Sequence, residues 1–240
     1  MRLILRGLVI FLGLVLAVPA VAGPPYITDD PDPTDTGHYE IYAFNDFVAG
    51  HGDAAGSTGL DLNFGPIPGV QLTATLPLEW TSSARPRLAR GDVEVGVKTR
   101  LIHDQKSGFS LSLFPRAFLP TGLGSKRASL LLPVWGGIEA GPWKLFGGGG
   151  FHWRGGAGAR SSWVEGLAVT RAVSKRATIG FELAHESADA VDGEGAATFD
   201  AGAIIGLGGL FSLLLAGGPQ RGDRSHRVDA HLYTALGLNF

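Results

Sequence analysis

Apolar and polar side chains alternate along most of this chain with a period of two residues. Between residues 70 and 80, apolar side chains fill the even positions, whereas Gln71, Thr73 and Glu79 fall on odd positions. Between residues 92 and 101, the odd positions are Val, Val, Val, Thr and Leu, and four of the five even positions carry a charge. A period of two is that of a β-strand with one apolar face, so the chain is predicted to be all-β.

Gly, Pro, Asp and Ser divide these alternating runs into twelve predicted strands of about ten residues each. The predicted strands are 38–48, 58–65, 69–80, 91–103, 109–119, 128–140, 143–153, 162–173, 176–186, 197–205, 210–216 and 228–240. The odd-numbered connections are long, at 49–57, 81–90, 120–127, 154–161, 187–196 and 217–227, and the even-numbered ones are mostly tight, at 66–68, 104–108, 141–142, 174–175 and 206–209.

Long connections that alternate with tight ones are typical of an outer-membrane barrel with both termini in the periplasm. The predicted fold is therefore a transmembrane, antiparallel, up-and-down β-barrel of about twelve strands. A soluble sandwich would also alternate, but it has no reason to keep this rhythm of connections. The uncharged stretch 201–218 contains six glycines, each costing about 1 kcal/mol in a helix, so it is predicted to be a hairpin turning at Gly208-Gly209 rather than a transmembrane helix.

The tryptophans also indicate a membrane. Trp80, Trp153 and Trp163 lie at strand ends beside long connections, and Trp143 lies beside a tight turn. These positions are typical of two interfacial girdles, where the indole ring stays apolar and its N–H stays wet. Trp135 lies in the middle of a predicted strand and does not fit this scheme.

Three segments of the chain are distinguished. Residues 1–22 have the Arg2 and Arg6 charges, apolar run and small-residue cleavage site of a secretory signal peptide. We expect cleavage near Ala22 and localisation in the bacterial outer membrane. Residues 23–37 are rich in Pro and Asp, which forbids a helix or central strand and predicts an extended arm. Residues 38–240 form the predicted barrel.

Composition excludes several classes of function. The net charge of -2 gives no basic face for nucleic acid, and the absence of cysteine excludes disulfides and thiolate metal sites. The glycine run 147–150 lacks the Gly-Lys-Ser/Thr and following helix of a phosphate loop. No cofactor is predicted.

Several motifs resemble a known family. Residues 24–31 read Pro-Pro-Tyr-Ile-Thr-Asp-Asp-Pro, and Gly-His-Tyr-Glu follows at 37–40. With the stretches 91–100, 119–122, 132–135 and 182–189, they resemble the family named for the MetA-pathway of phenol degradation over nearly the whole mature chain. This resemblance implies a transporter-like outer-membrane barrel, whereas the phenol association is weak support for any substrate. The final strand, ending in Phe240, is similar to the signal read by barrel-assembly machinery, although Ala235 stands where that signal has glycine.

A charge is tolerated only off the lipid face, so inward-facing polar residues are the candidate lumen-lining and solute-binding positions. They are His38, Glu40, Tyr42, Asp46, Glu79, Asp92, Glu94, Lys98, Arg100, Arg116, His152, Arg154, Glu182, Glu186, Arg227, Asp229, His231 and Tyr233. A salt-bridged filling of a narrow barrel is the alternative, and the similar number of both signs argues against strong ion selectivity.

The arm is expected to pack into the lumen as a plug, through Thr28, Asp29, Asp30, Asp32 and Asp35. A solvated periplasmic leader and a calcium site are the alternatives for it.

The expected function is passive passage of small solutes through the barrel lumen, aromatic or hydrophobic compounds among them. Expected partners are outer-membrane lipid, lipopolysaccharide, barrel-assembly machinery and the solute. Arg85, Arg87 and Arg90 could meet lipopolysaccharide phosphates or simply lie in a solvated loop. One alternative is a lipid hydrolase using His185 and Ser187, for which no orienting third residue is evident. The other is a purely structural or adhesive barrel, which would have longer outer loops.

Overall fold

The computed structural model describes residues 25–83, 85–123 and 127–240, so the predicted signal peptide lies outside the described residues. Within these ranges the regular structure is entirely β, and no helix is long and apolar enough to cross a membrane. The strands are β1 Tyr39–Gly50, β2 Asp53–Ile67, β3 Val70–Thr81, β4 Arg87–Arg90, β5 Val93–Asp104, β6 Phe109–Leu113, β7 Arg116–Leu119, β8 Ser129–Ala140, β9 Trp143–Trp153, β10 Ser162–Ser174, β11 Ala177–Glu186, β12 Ala196–Gly208, β13 Phe211–Gly222 and β14 Val228–Asn239.

The strands form one closed antiparallel barrel. Apart from β4 with β5 and β6 with β7, consecutive strands pair, and β1 closes the ring against β14, from Glu40 opposite Asn239 to Ala49 opposite Ala230. β4 and β5 both pair with β3, and β6 and β7 both pair with β5 and β8, so each couple is one interrupted barrel strand. The ring therefore has twelve strands, and the fold predicted from the sequence is confirmed.

The burial pattern is inverted relative to a soluble protein. Along β3, Gln71 and Thr73 are buried, whereas Leu72, Leu76 and Leu78 are exposed. This inversion is expected in a membrane, because lipid contacts the outer wall and the polar side chains face the interior. The closed sheet also satisfies its own backbone hydrogen bonds, which hydrocarbon cannot do.

The two ends of the barrel differ, as predicted, but not at every connection. We call the end with residues 82–83, 85–86, 154–161, 187–195 and 223–227 the loop end, and the end with the tight turns, Tyr39 and Phe240 the turn end. The predicted long connection at 49–57 is wrong. β1 and β2 continue into it and join through His51 and Gly52, whose φ values of 55° and 90° suit a two-residue hairpin turn.

Proline and a bulge interrupt two strands. β6 ends before Phe114 and Pro115, because Pro115 has no N–H to donate to the neighbouring strand. Its carbonyl still accepts the backbone N–H of Val97 on β5. β4 and β5 are separated at Gly91 and Asp92, where the register against β3 shifts.

The structure explains Trp135, which is fully buried and faces inward opposite Ser112 on β6. It also explains the uncharged stretch 201–218. The predicted hairpin is present, with positive φ at Gly208 and Gly209. Its inward side chains join an apolar cluster that fills part of the lumen near the turn end. The cluster contains Tyr42, Leu214 and Ala235, with Phe44, Ile204 and Tyr233 packed against it.

Candidate functional site: a polar lumen crossed by the N-terminal arm

The strand register fixes which predicted side chains face the lumen. Residues opposite one another in a ladder share a face, so the buried Asn63, Gln71 and His152 identify the inward face of their neighbours. By this criterion the inward set contains Glu40, Tyr42, Asp46, Glu79, Glu94, Lys98, Arg100, Arg116, His152, Glu182, Glu186, Asp229, His231 and Tyr233.

Four predicted positions lie at strand ends or beyond them. Arg154 follows β9 and contacts Ser162 and Glu186. Asp92, in the gap between β4 and β5, accepts the backbone N–H of Gly122 at 2.9 Å. His38 is exposed at the turn end, and Arg227 is exposed at the loop end, where it donates to Asp229 at 2.9 Å.

Opposite signs of charge lie on opposite walls of the lumen. We call β11–β14 with β1–β3 the acidic wall and β5–β9 the basic wall. Inward acids of the acidic wall are Glu40, Asp46, Asp61, Glu79, Glu182, Glu186, Asp200 and Asp229. Cations of the basic wall are Lys98, Arg100, Arg116, Lys144 and Arg154. The segregation is incomplete, since Glu94 lies beside Arg116 at 3.2 Å.

A buried histidine ties three strands of the acidic wall together. His231 on β14 contacts Asp200 on β12 at 2.6 Å through Nδ1, and Asp46 on β1 at 2.8 Å through Nε2. Asp200 is fully buried. An imidazolium that donates to two carboxylates offsets the cost of burying them.

The described part of the arm begins inside the lumen, against the acidic wall. The backbone N–H of Ile27 donates to Glu182 at 3.0 Å, and the N–H of Thr28 donates to the same carboxylate. Inward glycines of β10–β12 make room for it. A Cβ at Gly166 would collide with the Thr28 hydroxyl, and a Cβ at Gly202 would lie 2.7 Å from the ring of Tyr26.

The arm then runs along the basic wall. Lys98, which is 1% exposed, contacts Asp29 at 2.9 Å, and Lys144 contacts Asp30 and Asp32 at 2.8 and 2.7 Å. Burial disfavours the ionised form of Asp32, but the charges of Lys144, Arg100 and Lys98 together outweigh that effect, so the pKa of Asp32 lies below its ordinary value.

The arm leaves the lumen at the turn end. There the backbone N–H of Thr34 donates to Gln71 at 2.8 Å, and Asp35 is exposed. Four of the five predicted plug residues, Thr28, Asp29, Asp30 and Asp32, thus lie inside the barrel.

Sequence reasoning missed several residues that hold the arm or the acidic wall together. Lys144, Gln71, Asp61 and Asp200 were not among the predicted positions. Lys144 shares the parity of His152 on the same strand, so alternation alone could have found it.

A cavity of about 360 Å³ lies beside the arm at the turn end. Asp32 of the arm lines one side of it, and His103, Ser110 and Glu139 of the barrel wall line the other. The space beside the arm therefore opens at the turn-end rim of the basic wall.

The hydrolase pair of the sequence analysis is not assembled as such. His185 faces outward, with its ring nitrogens 3.1 Å from Asp223 and 3.5 Å from Glu165. The Ser187 hydroxyl accepts the backbone N–H of Trp163 at 2.8 Å. Among the described residues, no group of three or more His, Cys, Asp or Glu side chains could hold a metal ion.

A closed antiparallel barrel with an apolar wall and a polar lumen defines the class: this is a transmembrane β-barrel with the fold of outer-membrane porins and channels. The COG4313 outer membrane channel from Pseudomonas putida F1 superposes with a TM-score of 0.69 at 14% identity, covering 88% of this chain and 98% of that one. The KdgM porin in complex with disordered oligogalacturonate gives 0.60 at 12% identity, covering 84% and 99%. The NanC porin gives 0.60 at 10% identity, covering 82% and 98%.

At such identities the similarity concerns the fold. No protein-family model matches the sequence, and no functionally curated protein is significantly similar to it.

Proposed function

We propose that this protein is a passive outer-membrane channel for small solutes, aromatic or hydrophobic compounds among them, with the arm as a plug that narrows the lumen. The observation that carries the proposal is the polar, charge-lined interior of a closed barrel, with a cavity beside the arm at the turn end. The channel and porin folds of its structural neighbours support the same class.

Aromatic side chains on the basic wall pack against one another and against cations. Phe118 stacks on His152 with ring centroids 4.8 Å apart, and Phe114 lies beneath the charges of Lys98 and Arg116 at 5.0 and 5.2 Å. Because Phe114, His152 and Lys98 are at most 4% exposed, these contacts order the wall, and the solute class rests on the family resemblance.

The proposal is tested by conductance in planar bilayers. The protein lacking residues 23–37 is expected to conduct more than the intact chain, because the arm occupies the lumen between Glu182 and Gln71. A point variant, Gly202→Val, is expected to act in the same direction by displacing Tyr26.

Gly136→Ala is the matched control, because Gly136 faces outward and a Cβ there would make ordinary contact with Leu111 at 3.4 Å. Absence of conductance both with and without the arm would refute the channel. Equal conductance of the two forms would refute the plug.

The hydrolase alternative has less support, since His185 and Ser187 each bind other groups. Release of fatty acid from phospholipid that disappears in Ser187→Ala would restore it.

A further inference from the structure

Charged side chains are scarce on the lipid-facing side of the described wall. Near the loop end the outward strand positions include Arg90, Glu165, His185 and Arg221. Glu165 and His185 face each other, and Arg221 lies 3.1 Å from the ring of His226. The Arg90 side chain has no hydrogen-bond or ion-pair partner among the described residues.

The outward direction of Arg90 results from the interruption between β4 and β5. On β3, Thr75 lies opposite Glu94 and Leu78 lies opposite Arg90, so three steps along β3 match four steps along β4–β5. One extra residue reverses the face on which the following side chains fall. Arg90 therefore shares the lipid-facing side with Leu78, although uninterrupted alternation would turn it toward the lumen with Glu94.

The surroundings of Arg90 are apolar. Leu78 is 40% exposed, and Leu88 and Leu123 are each 68% exposed. The backbone N–H of Leu123 donates to the carbonyl of Arg90 at 3.2 Å, which places that leucine on the side away from Leu78. Trp80, opposite Leu88, marks the level of the interfacial girdle, and Arg90, opposite Leu78, lies two residues closer to the turn end.

A guanidinium just inside the girdle is placed to bind an anion at the interface. A lipid-facing Arg costs about 2–4 kcal/mol at the bilayer midplane and falls to roughly 0–1 near the interface. A phosphate accepts two parallel hydrogen bonds from a guanidinium, and acyl chains attached to the same molecule would cover the three leucines. Arg85 and Arg87, in the same hairpin and exposed, add positive charge beside the site.

We propose that Arg90, with Leu78, Leu88 and Leu123, forms a binding site for the phosphorylated, acylated glucosamine portion of lipopolysaccharide in the outer leaflet. The site lies on the outer surface of the barrel and is independent of the proposed passage through the lumen. It requires the loop end to face outward, which is the usual orientation of such barrels.

The experiment measures binding of bisphosphorylated lipid A to the detergent-purified full chain by native mass spectrometry. Arg90→Gln is expected to weaken binding about tenfold, since it removes charge-assisted hydrogen bonds to a phosphate. Arg90→Lys is expected to give an intermediate loss, because the charge remains and the planar fork is lost. Dephosphorylated lipid A is expected to bind weakly to all forms.

Arg171→Gln is the matched control. Arg171 is also a lipid-facing arginine, but it lies near the turn end over the ring of Trp143, at 5.1 Å. Lipid A binding is expected to be unchanged in it. The heat-modifiable mobility of each variant in detergent verifies that its barrel is folded.

Three results would overturn the proposal. They are equal loss in the Arg90→Gln and Arg171→Gln variants, equal binding of the dephosphorylated lipid, and equally tight binding of phosphatidylglycerol. The last would assign the site to any anionic lipid instead.

Discussion

At the scale of single residues, the interior depends on pairing of buried charges rather than on apolar packing alone. Lys98, Glu182 and Asp200 are each at most 1% exposed, and the first two bind the arm. In a low-dielectric interior such groups are costly without a partner and acceptable with one. We expect the largest single-residue effects on stability at these positions.

His231 offers the sharpest test of this view. His231→Ala would leave the buried carboxylate of Asp200 without its 2.6 Å contact, so the free energy of unfolding is expected to fall by roughly 3–5 kcal/mol. The double variant His231→Ala/Asp200→Ala should recover a large part of the lost free energy of unfolding, because it also removes the unpaired buried carboxylate. Urea unfolding of the detergent-solubilised barrel measures both. A double variant as unstable as the sum of the two single variants would contradict the pairing argument.

At the scale of elements, the loop end owes its order to contacts between connections. The 154–161 and 187–195 connections join through an Ala159–Ala190 bridge, and the 223–227 connection is held by Glu194. These contacts lie on one side of the mouth. They give short connections fixed shapes without additional secondary structure.

Glu194 predicts how this order depends on pH. The hydroxyl and backbone N–H of Ser225 and the backbone N–H of Arg224 bind the carboxylate, which lowers the pKa of Glu194 to about 2 from 4.5. A carboxylate with a lowered pKa stabilises the folded contact above pH 4.5, and the contribution is lost as the pH falls toward 2.

We therefore expect the amide NMR signals of Arg224 and Ser225 to shift with a midpoint near pH 2. In Glu194→Gln that transition should be absent. A wild-type midpoint near 4.5 would show that the contact does not form in solution.

At the scale of the whole molecule, the two walls set up a field across the lumen. Because both signs are present, the proposed channel is expected to be weakly selective. Replacing Arg116 and Arg154 by Gln should favour cations, and Glu79→Gln with Asp229→Asn should favour anions. Two unit charges about 8 Å apart in water interact by roughly 0.5 kcal/mol. Each removed charge is therefore expected to change the cation-to-anion preference by a factor of about two.

Reversal potentials in a salt gradient measure these shifts. If both double variants moved the potential in the same direction, the pore would not run between the two walls.

Alternation along the chain determined a large part of the fold. Each strand has one face toward lipid and one toward the lumen, and the sequence of that strand alone satisfies this requirement. It determined the all-β class, the twelve barrel strands and the hairpin at Gly208-Gly209. It also determined the direction of side chains such as Lys98 and His231.

Only the tertiary structure decided features that depend on neighbouring strands. A one-residue register shift turns Arg90 toward lipid, and the ring brings Asp46, Asp200 and His231 together across strands far apart in sequence. The path of the arm from Glu182 to Gln71 likewise depends on glycines whose alignment appears only when the sheet closes. Register, closure and long-range ion pairs are set by the whole sheet, and no local pattern encodes them.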